Sequence, residues 1–220
     1  MKTFKDFVTE TPTRLVLDPE SMLFRNETDF LVDTVYSRYI DEHNKNSVEC
    51  VGWLDGHENA LIRNQKIYEA GIDDDDSVLD VGCGVAHLHT YLKNQGWNGK
   101  YLGIDPNKKA IDLIDENINA VHATVEDIGK NEKYDWVIAN GVFNLGFKEE
   151  HSFWIIDNMI SHAEKGIIFN MLQAPYEDPK YEAYHPEWIK RRLSYFHHKK
   201  IEIIEGYMRD DAEFTVYFYV

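Results

Sequence analysis

From Val78 to Val81 the chain is apolar around a single acid, Asp80, and a second such run, Tyr101 to Ile104, ends in Asp105. Short apolar runs of this kind predict strands of a parallel sheet, buried on both faces. Between them Leu88, Tyr91 and Leu92 recur at i, i+3 and i+4, the spacing of a helix that Gly96 stops. The same alternation continues downstream. A helix is predicted from Pro106 through Asn117, strands over Ala120 to Ala123 and Tyr134 to Ala139, a helix from His151 to His162 and a strand from Gly166 to Leu172. Pro186 opens a helix carrying Ile189, Leu193 and Phe196, and two strand patterns, Ile201 to Tyr207 and Phe214 to Val220, close the chain. That reading gives an α/β fold with a seven-stranded, mostly parallel sheet, an antiparallel C-terminal strand and helices on both faces.

Ahead of the first strand the pattern is helical. Residues 1 to 25 read as irregular because Pro12 and Pro19 interrupt any helix. Asn26 followed by Asp29 reads as an N-cap, and Leu31, Val35 and Tyr39 then carry a helix to about His43. A polar link from Asn44 to Val51 leads to a second helix, Glu58 to Ala70, ended by Gly71. The chain divides into an N-terminal helical extension or lid, 1–50, and an α/β domain, 51–220. The acidic run Asp73 to Asp76 is a solvated loop with nothing to fix it around a metal, and no metal site is expected.

The chemistry gathers at the turn after the first strand, Asp80-Val-Gly-Cys-Gly-Val-Ala86. Gly82 and Gly84 let a ligand approach backbone N–H groups that a Cβ would screen. Asp105 follows Gly84 by 21 positions, where a carboxylate accepts both ribose hydroxyls. A dinucleotide turn needs a small residue at position 87, which is His, and Asp80 at the mouth would repel a pyrophosphate. The same carboxylate suits an ammonium group. S-adenosylmethionine, with an adenosine, no phosphate, a sulfonium and an amino-acid tail, meets these demands.

These residues resemble motif I and the following acidic position of class I S-adenosylmethionine-dependent methyltransferases, which are Rossmann-like; the departure is Ala86, where that family usually has a third glycine. The resemblance covers about residues 50 to 220 and includes the antiparallel last strand. It implies that Gly82, Cys83 and Gly84 wrap the methionine and ribose portions and that Asp80 receives the ammonium. Asp105 and the adjoining Pro106 would hold the ribose, while Thr124, Val125 and Glu126 take the adenine. Asn140, Gly141 and Val142, in the motif IV position, would flank the sulfonium. Arg63 is the candidate for the methionine carboxylate, against the alternative of a surface arginine. Trp53 either covers the cofactor or is simply a buried aromatic.

Composition narrows the acceptor. The formal charge is −16 and the isoelectric point about 4.9, which argues against a partner held by its phosphates, so nucleic acid is disfavoured. The basic cluster Lys190, Arg191, Arg192, Lys199 and Lys200 reads as a solvated helix end. No apolar run spans a bilayer, and no signal-peptide core is visible, so no membrane partner is expected. With only Cys50 and Cys83, a reducing cytoplasm is the expected setting. The expected function is methyl transfer to O or N of a small-molecule acceptor. His151 and His185 are candidate general bases, with Tyr184 or Tyr176 behind them. The loop Gln173 to Glu187 is either a substrate lid or merely packed by its tyrosines. Two other classes stand beside this reading. A non-catalytic module is opposed by the intact Asp80, Gly82, Gly84 and Asp105, and an NAD(P)-dependent oxidoreductase by His87 and Asp80. No motif sets the acceptor's identity or the oligomeric state.

Overall fold

A computed structural model describes residues 19–44, 47–53, 55–144, 147–176, 181–209 and 212–220. The irregular start expected before residue 19 and the middle of the Gln173–Glu187 loop lie outside them. The predicted α/β architecture is present. Strands β1 (Val78–Val81), β2 (Tyr101–Asp105), β3 (Ala120–His122), β4 (Tyr134–Ala139), β5 (Ala163–Gln173), β6 (Ala183–Tyr184), β7 (Lys200–Ile204) and β8 (Glu213–Tyr219) form one sheet. The order is β3-β2-β1-β4-β5-β8-β7, with β6 paired separately on β5.

The register explains where a ligand belongs. β1 pairs in parallel with β2 on one side and β4 on the other, Asp80 standing opposite Gly103 and Ile138. The chain therefore builds outward from β1 in one direction through β2 and β3, then returns to build the other way from β4. That reversal opens a crevice at the carboxyl ends of β1 and β4, where open α/β sheets bind ligands. β8 runs antiparallel to both β5 and β7, the closing hairpin that the alternation of Phe214, Val216 and Phe218 predicts.

Both faces of the sheet are covered, which is why its inner strands carry no polar face. Leu79, Val81, Val137 and Ala139 pack with Phe153, Ile156 and Met159 of helix α6 (Glu149–His162). Ile189 and Leu193 of α7 (Pro186–Leu193) join that layer. Val78, Trp136 and Ile138 turn the other way, onto Ile67 of α3 (His57–Tyr68) and Leu88 and Leu92 of α4 (His87–Asn94). Residues one apart on β1 and β4 thus serve opposite layers.

Four elements differ from the sequence reading. Helix α1 spans Pro19–Leu31 rather than starting at an Asn26 cap, because a proline at the first helical position lacks only an N–H that would be unpaired anyway. It continues through a π-helical stretch, Val32–Tyr36, into α2 (Ser37–Glu42). Helix α5 is only Lys108–Ile111 and does not reach Asn117; Asp115 accepts from the Asn117 backbone N–H (2.9 Å) and turns the chain instead. The polar link contains a 3₁₀ turn, Val48–Val51, with Val48 and Cys50 buried. Finally, the loop read as either a lid or a packed segment contributes β6, aligned with Leu172 and Gln173 of β5.

Candidate active site

At the crevice a cavity of about 1150 Å³, counting its open mouth, runs along the carboxyl ends of β1, β2 and β4. Its floor is the glycine turn. Gly82 and Gly84 hold φ of +70° and +54°, the left-handed region that costs a side-chain-bearing residue about 1–2 kcal/mol. They are also crowded: a Cβ on Gly82 would stand 2.6 Å from Val142 Cγ2, and one on Gly84 would stand 2.6 Å from Val51 Cγ1. Ala86, at the third-glycine position, sits at φ +63° and is the one described non-glycine residue in that region.

Asp105 closes the turn. Its Oδ2 accepts the Gly84 N–H at 2.8 Å and its Oδ1 the Asn107 N–H at 2.7 Å. Each oxygen keeps a lone pair for a further donor, so the carboxylate is oriented by backbone and still available. Burial raises its carboxyl to about 6, against the pull of those two N–H groups. Asp80 is buried deeper in the wall and accepts from the Tyr101 hydroxyl at 2.7 Å. Burial dominates there too and raises the carboxyl to about 7, with Asp105 adding to the effect. Cys83, buried beside both acids, has its thiol pushed well up, so it is a packing group and not a nucleophile.

The far wall holds the Thr124–Glu126 turn. Thr124 and Asp127 form a reciprocal cap, and Arg25 of α1 bonds Asp127 at 2.7 Å, fastening the helix to that turn. Pro106, Asn107 and Ala123 line the cavity beside it. The Asn107 side-chain N–H₂ is buried without a partner, an unused donor in the wall and the kind of group that a ligand satisfies.

The third side is the turn after β4. Gly141 N–H donates to Asn170 Oδ1 (2.6 Å), Asn170 donates to Asn140 Oδ1 (3.1 Å), and Asn140 donates to Asn64 Oδ1 (2.9 Å). Asn170 also donates to Glu213 (2.7 Å), which is fully buried and paired with Arg63 at 2.9 Å. This polar chain fixes the loop. Arg63 is therefore not where the sequence reading puts it. It does not line the cavity; its guanidinium is held by Glu213 and by two bonds to Asp55 (3.1 and 2.7 Å). Trp53 does line the cavity, with Arg63 stacked on its ring (5.3 Å) and Gly141 against its indole edge.

The remaining wall comes from α1, the π-helical stretch and α2 through Thr28, Leu31, Tyr36 and Ile40, and from Phe147, His151 and Trp154. His151 is 1% exposed, with Nδ1 at 2.6 Å from Glu27 Oε2 and Nε2 at 3.4 Å from Thr28 Oγ1. Its ring stacks on Phe24. Burial lowers its pKa, with Glu27 opposing. Of the candidate bases only His151 reaches the cavity. Tyr184 belongs to β6, lies buried against Trp188 and donates to Ser152 (3.4 Å). His185 caps α7 and is exposed, and Tyr176 lies outside the cavity wall. Pairing of β6 with β5 draws Tyr184 inward, and the proline-started helix turns His185 out. Sequence reasoning missed Glu27, Thr28 and the apolar wall, because nothing local says which face of α1 meets the cavity, and Asn107, because its unpaired donor is a property of the fold.

A family model described as a methyltransferase domain matches residues 72–185. No match is found among the curated proteins. Solved structures with a similar fold include a SAM-dependent methyltransferase from Archaeoglobus fulgidus (15% identity, 76% of this chain and 96% of that one, TM-score 0.60). Another is magnesium protoporphyrin IX methyltransferase from Synechocystis with bound SAH (16%, 89% and 98%, TM-score 0.63). A third is the N-methyltransferase NodS from Bradyrhizobium japonicum in complex with S-adenosyl-L-homocysteine (14%, 88% and 98%, TM-score 0.63). At these identities the likeness is one of fold.

Proposed function

This chain belongs to the methyltransferase-domain family, and from that premise we propose that it binds S-adenosylmethionine in the crevice and transfers the methyl group to an oxygen or nitrogen of a small-molecule acceptor. The observation that carries the reading is Asp105, a buried carboxylate aimed by two backbone N–H groups with lone pairs to spare. Solved structures of the same fold that hold S-adenosylmethionine or S-adenosylhomocysteine support it.

The residues present fit that cofactor. Asp105 takes the ribose hydroxyls, beside Pro106, and the Gly82-Cys83-Gly84 backbone follows the tail. Asp80 receives the ammonium. Thr124, Val125 and Glu126 take the adenine, where the unpaired Asn107 amide supplies a further donor. With Arg63 committed to Asp55 and Glu213, the tail carboxylate falls to the first N–H groups of α4 and the His87 imidazole. Arg63 then acts through Glu213 and Asn170, as a support for the Asn140–Val142 turn that flanks the sulfonium. When bound, S-adenosylmethionine supplies a methyl group on a positively charged sulfur, open to in-line displacement. The protein's part is to hold the acceptor in line, an effect that reaches about 7–11 kcal/mol, to exclude water, and to accept a proton at His151.

A thermal-unfolding series with S-adenosylmethionine, S-adenosylhomocysteine and NADH tests the reading. At about 100 times its Kd, a ligand adds about 2.7 kcal/mol to stability. Stabilisation by the two adenosyl ligands that shrinks in Asp105→Ala is the expected result. Stabilisation by NADH alone, or by none of the three, would overturn it.

A further inference from the structure

The acceptor half of the cavity is built to a narrower specification than methyl transfer alone requires. No lysine or arginine lines the cavity among the described residues. Its three carboxylates, Asp80, Asp105 and Glu126, lie on the adenosyl side, along β1, β2 and the turn after β3. The wall supplied by α1, the π-helical stretch, α2, α6 and the loop before α6 is Leu31, Tyr36, Ile40, Phe147 and Trp154, with one imidazole, His151. Among the described residues an anionic acceptor finds no counter-charge there, and the carboxylate nearest that wall, Glu27, is already paired with His151.

His151 is set up as a base. Glu27 reaches from α1 to Nδ1 at 2.6 Å, and a carboxylate there accepts the Nδ1 proton, which leaves the lone pair on Nε2. Nε2 has only the long contact to Thr28 Oγ1, 3.4 Å, and the ring lines the cavity. Phe24 stacks on the imidazole at 4.7 Å and Phe147 meets its face edge-on at 4.5 Å, so the ring has one orientation. From α1, the loop before α6 and α6 itself, the charged group bearing on it is Glu27. A neutral amine attacks through a lone pair it already has and sheds its proton afterwards. A hydroxyl gains nucleophilicity only as its proton leaves, and for that a positioned base contributes about 10²–10⁴-fold.

Resting on the methyltransferase reading, we infer that the acceptor is a neutral, flat, largely apolar molecule presenting a phenol-type hydroxyl, with Glu27 positioning His151 to take its proton. A phenol titrates near 10, within reach of an imidazole, unlike an aliphatic alcohol. In the step, the hydroxyl oxygen forms the new C–O bond as the donor's S–C bond breaks. The electron pair of that bond stays on sulfur, and the hydroxyl proton ends on Nε2, leaving an imidazolium paired with Glu27. Glu27 stands on α1, outside residues 72–185 that the family model matches.

The test uses the whole chain saturated with S-adenosylhomocysteine, so that binding is read without turnover. Three probes of similar size are titrated: 2-naphthol, 2-naphthoate and 2-naphthylmethylammonium. 2-Naphthol is expected to bind at least tenfold more tightly than either ion. In Glu27→Leu, which removes the acceptor, that preference should fall about tenfold and the ¹⁵N resonances of His151 should lose the fixed Nδ1–H tautomer, with partial recovery in Glu27→Asp and unchanged S-adenosylhomocysteine affinity. Equal or tighter binding of either ion, or a Glu27→Leu protein with the wild-type tautomer and preference, would overturn the inference alone. Failure of the wild-type chain to bind S-adenosylhomocysteine would overturn the cofactor reading and this one with it.

Discussion

The two walls of the cavity are made differently. The β1–β2 wall is backbone: two left-handed glycines, a carboxylate held by main-chain N–H groups, and a sheet register that leaves no freedom. The opposite wall is side chain, apolar residues of α1 and the elements after it, joined to the domain by Arg25–Asp127 and Lys109–Asp41 ion pairs. A backbone site tolerates almost no substitution, because the geometry itself is the ligand contact. A side-chain wall can be exchanged residue by residue. The division fits an enzyme class that keeps one donor and changes its acceptor.

Substitutions that cross from one wall to the other should show the contrast most strongly. Gly84→Ala puts a methyl 2.6 Å from Val51 Cγ1 in a strained conformation, and isothermal titration should find S-adenosylhomocysteine binding lost or weakened more than about 100-fold. Adding Val51→Ala should restore part of it, since the clash goes and the backbone strain of about 1–2 kcal/mol stays. If the single substitution binds normally, the turn is not the rigid element described.

Next in size is Asp105→Ala. Hydrogen bonds to a charged group contribute about 1.5–3 kcal/mol, so affinity should fall roughly ten- to 100-fold. A change of Leu31 to Ala in the other wall should leave that affinity alone. Equal losses from both would erase the distinction between the walls.

A pH series gives a smaller effect with a definite sign. The Asp80 carboxyl is held near 7 by burial, above the ordinary 3.8, so below that pH the empty site is protonated. An ammonium is received by the carboxylate, and binding must then release a proton. Affinity for S-adenosylhomocysteine should accordingly rise with pH toward about 7 and level off above it, and Asp80→Asn should remove the part of the rise nearest 7, leaving that of Asp105 near 6. A wild-type profile flat between 5 and 8 would separate Asp80 from the ammonium.

The smallest effect belongs to Ala86. Its φ of +63° costs strain that glycine relieves, against the greater entropy glycine loses on folding, about 0.5–1 kcal/mol. Ala86→Gly should change stability by less than about 1 kcal/mol, on the stabilising side, in chemical denaturation. A loss above that would mean that the buried Ala86 methyl matters more to the core than the strain it carries.

The same contrast decides what was legible in the sequence. Gly82, Gly84, Asp105 and the β1 and β2 runs were readable because a short turn between fixed strands ties each residue type to one conformation. Asn140 to Val142 were placed by their position at the end of β4. Arg63 misled because its partners, Asp55 and Glu213, are 8 and 150 residues away, and no spacing rule reports a buried pair of that separation. Tyr184 and His185 misled because a two-residue strand carries no periodicity to detect. Glu27 and Asn107 were invisible for a related reason: one acts across 124 residues, and the other matters by a donor left unpaired in the fold.

A crystal structure of the chain with S-adenosylhomocysteine tests the central claim most directly. The account predicts the ribose hydroxyls on Asp105, the adenine against Thr124 to Glu126, the ammonium toward Asp80, and the thioether sulfur facing the Asn140–Val142 turn with His151 across the cavity. Ribose bound anywhere other than Asp105, or a crevice that stays empty at saturating ligand, would contradict it.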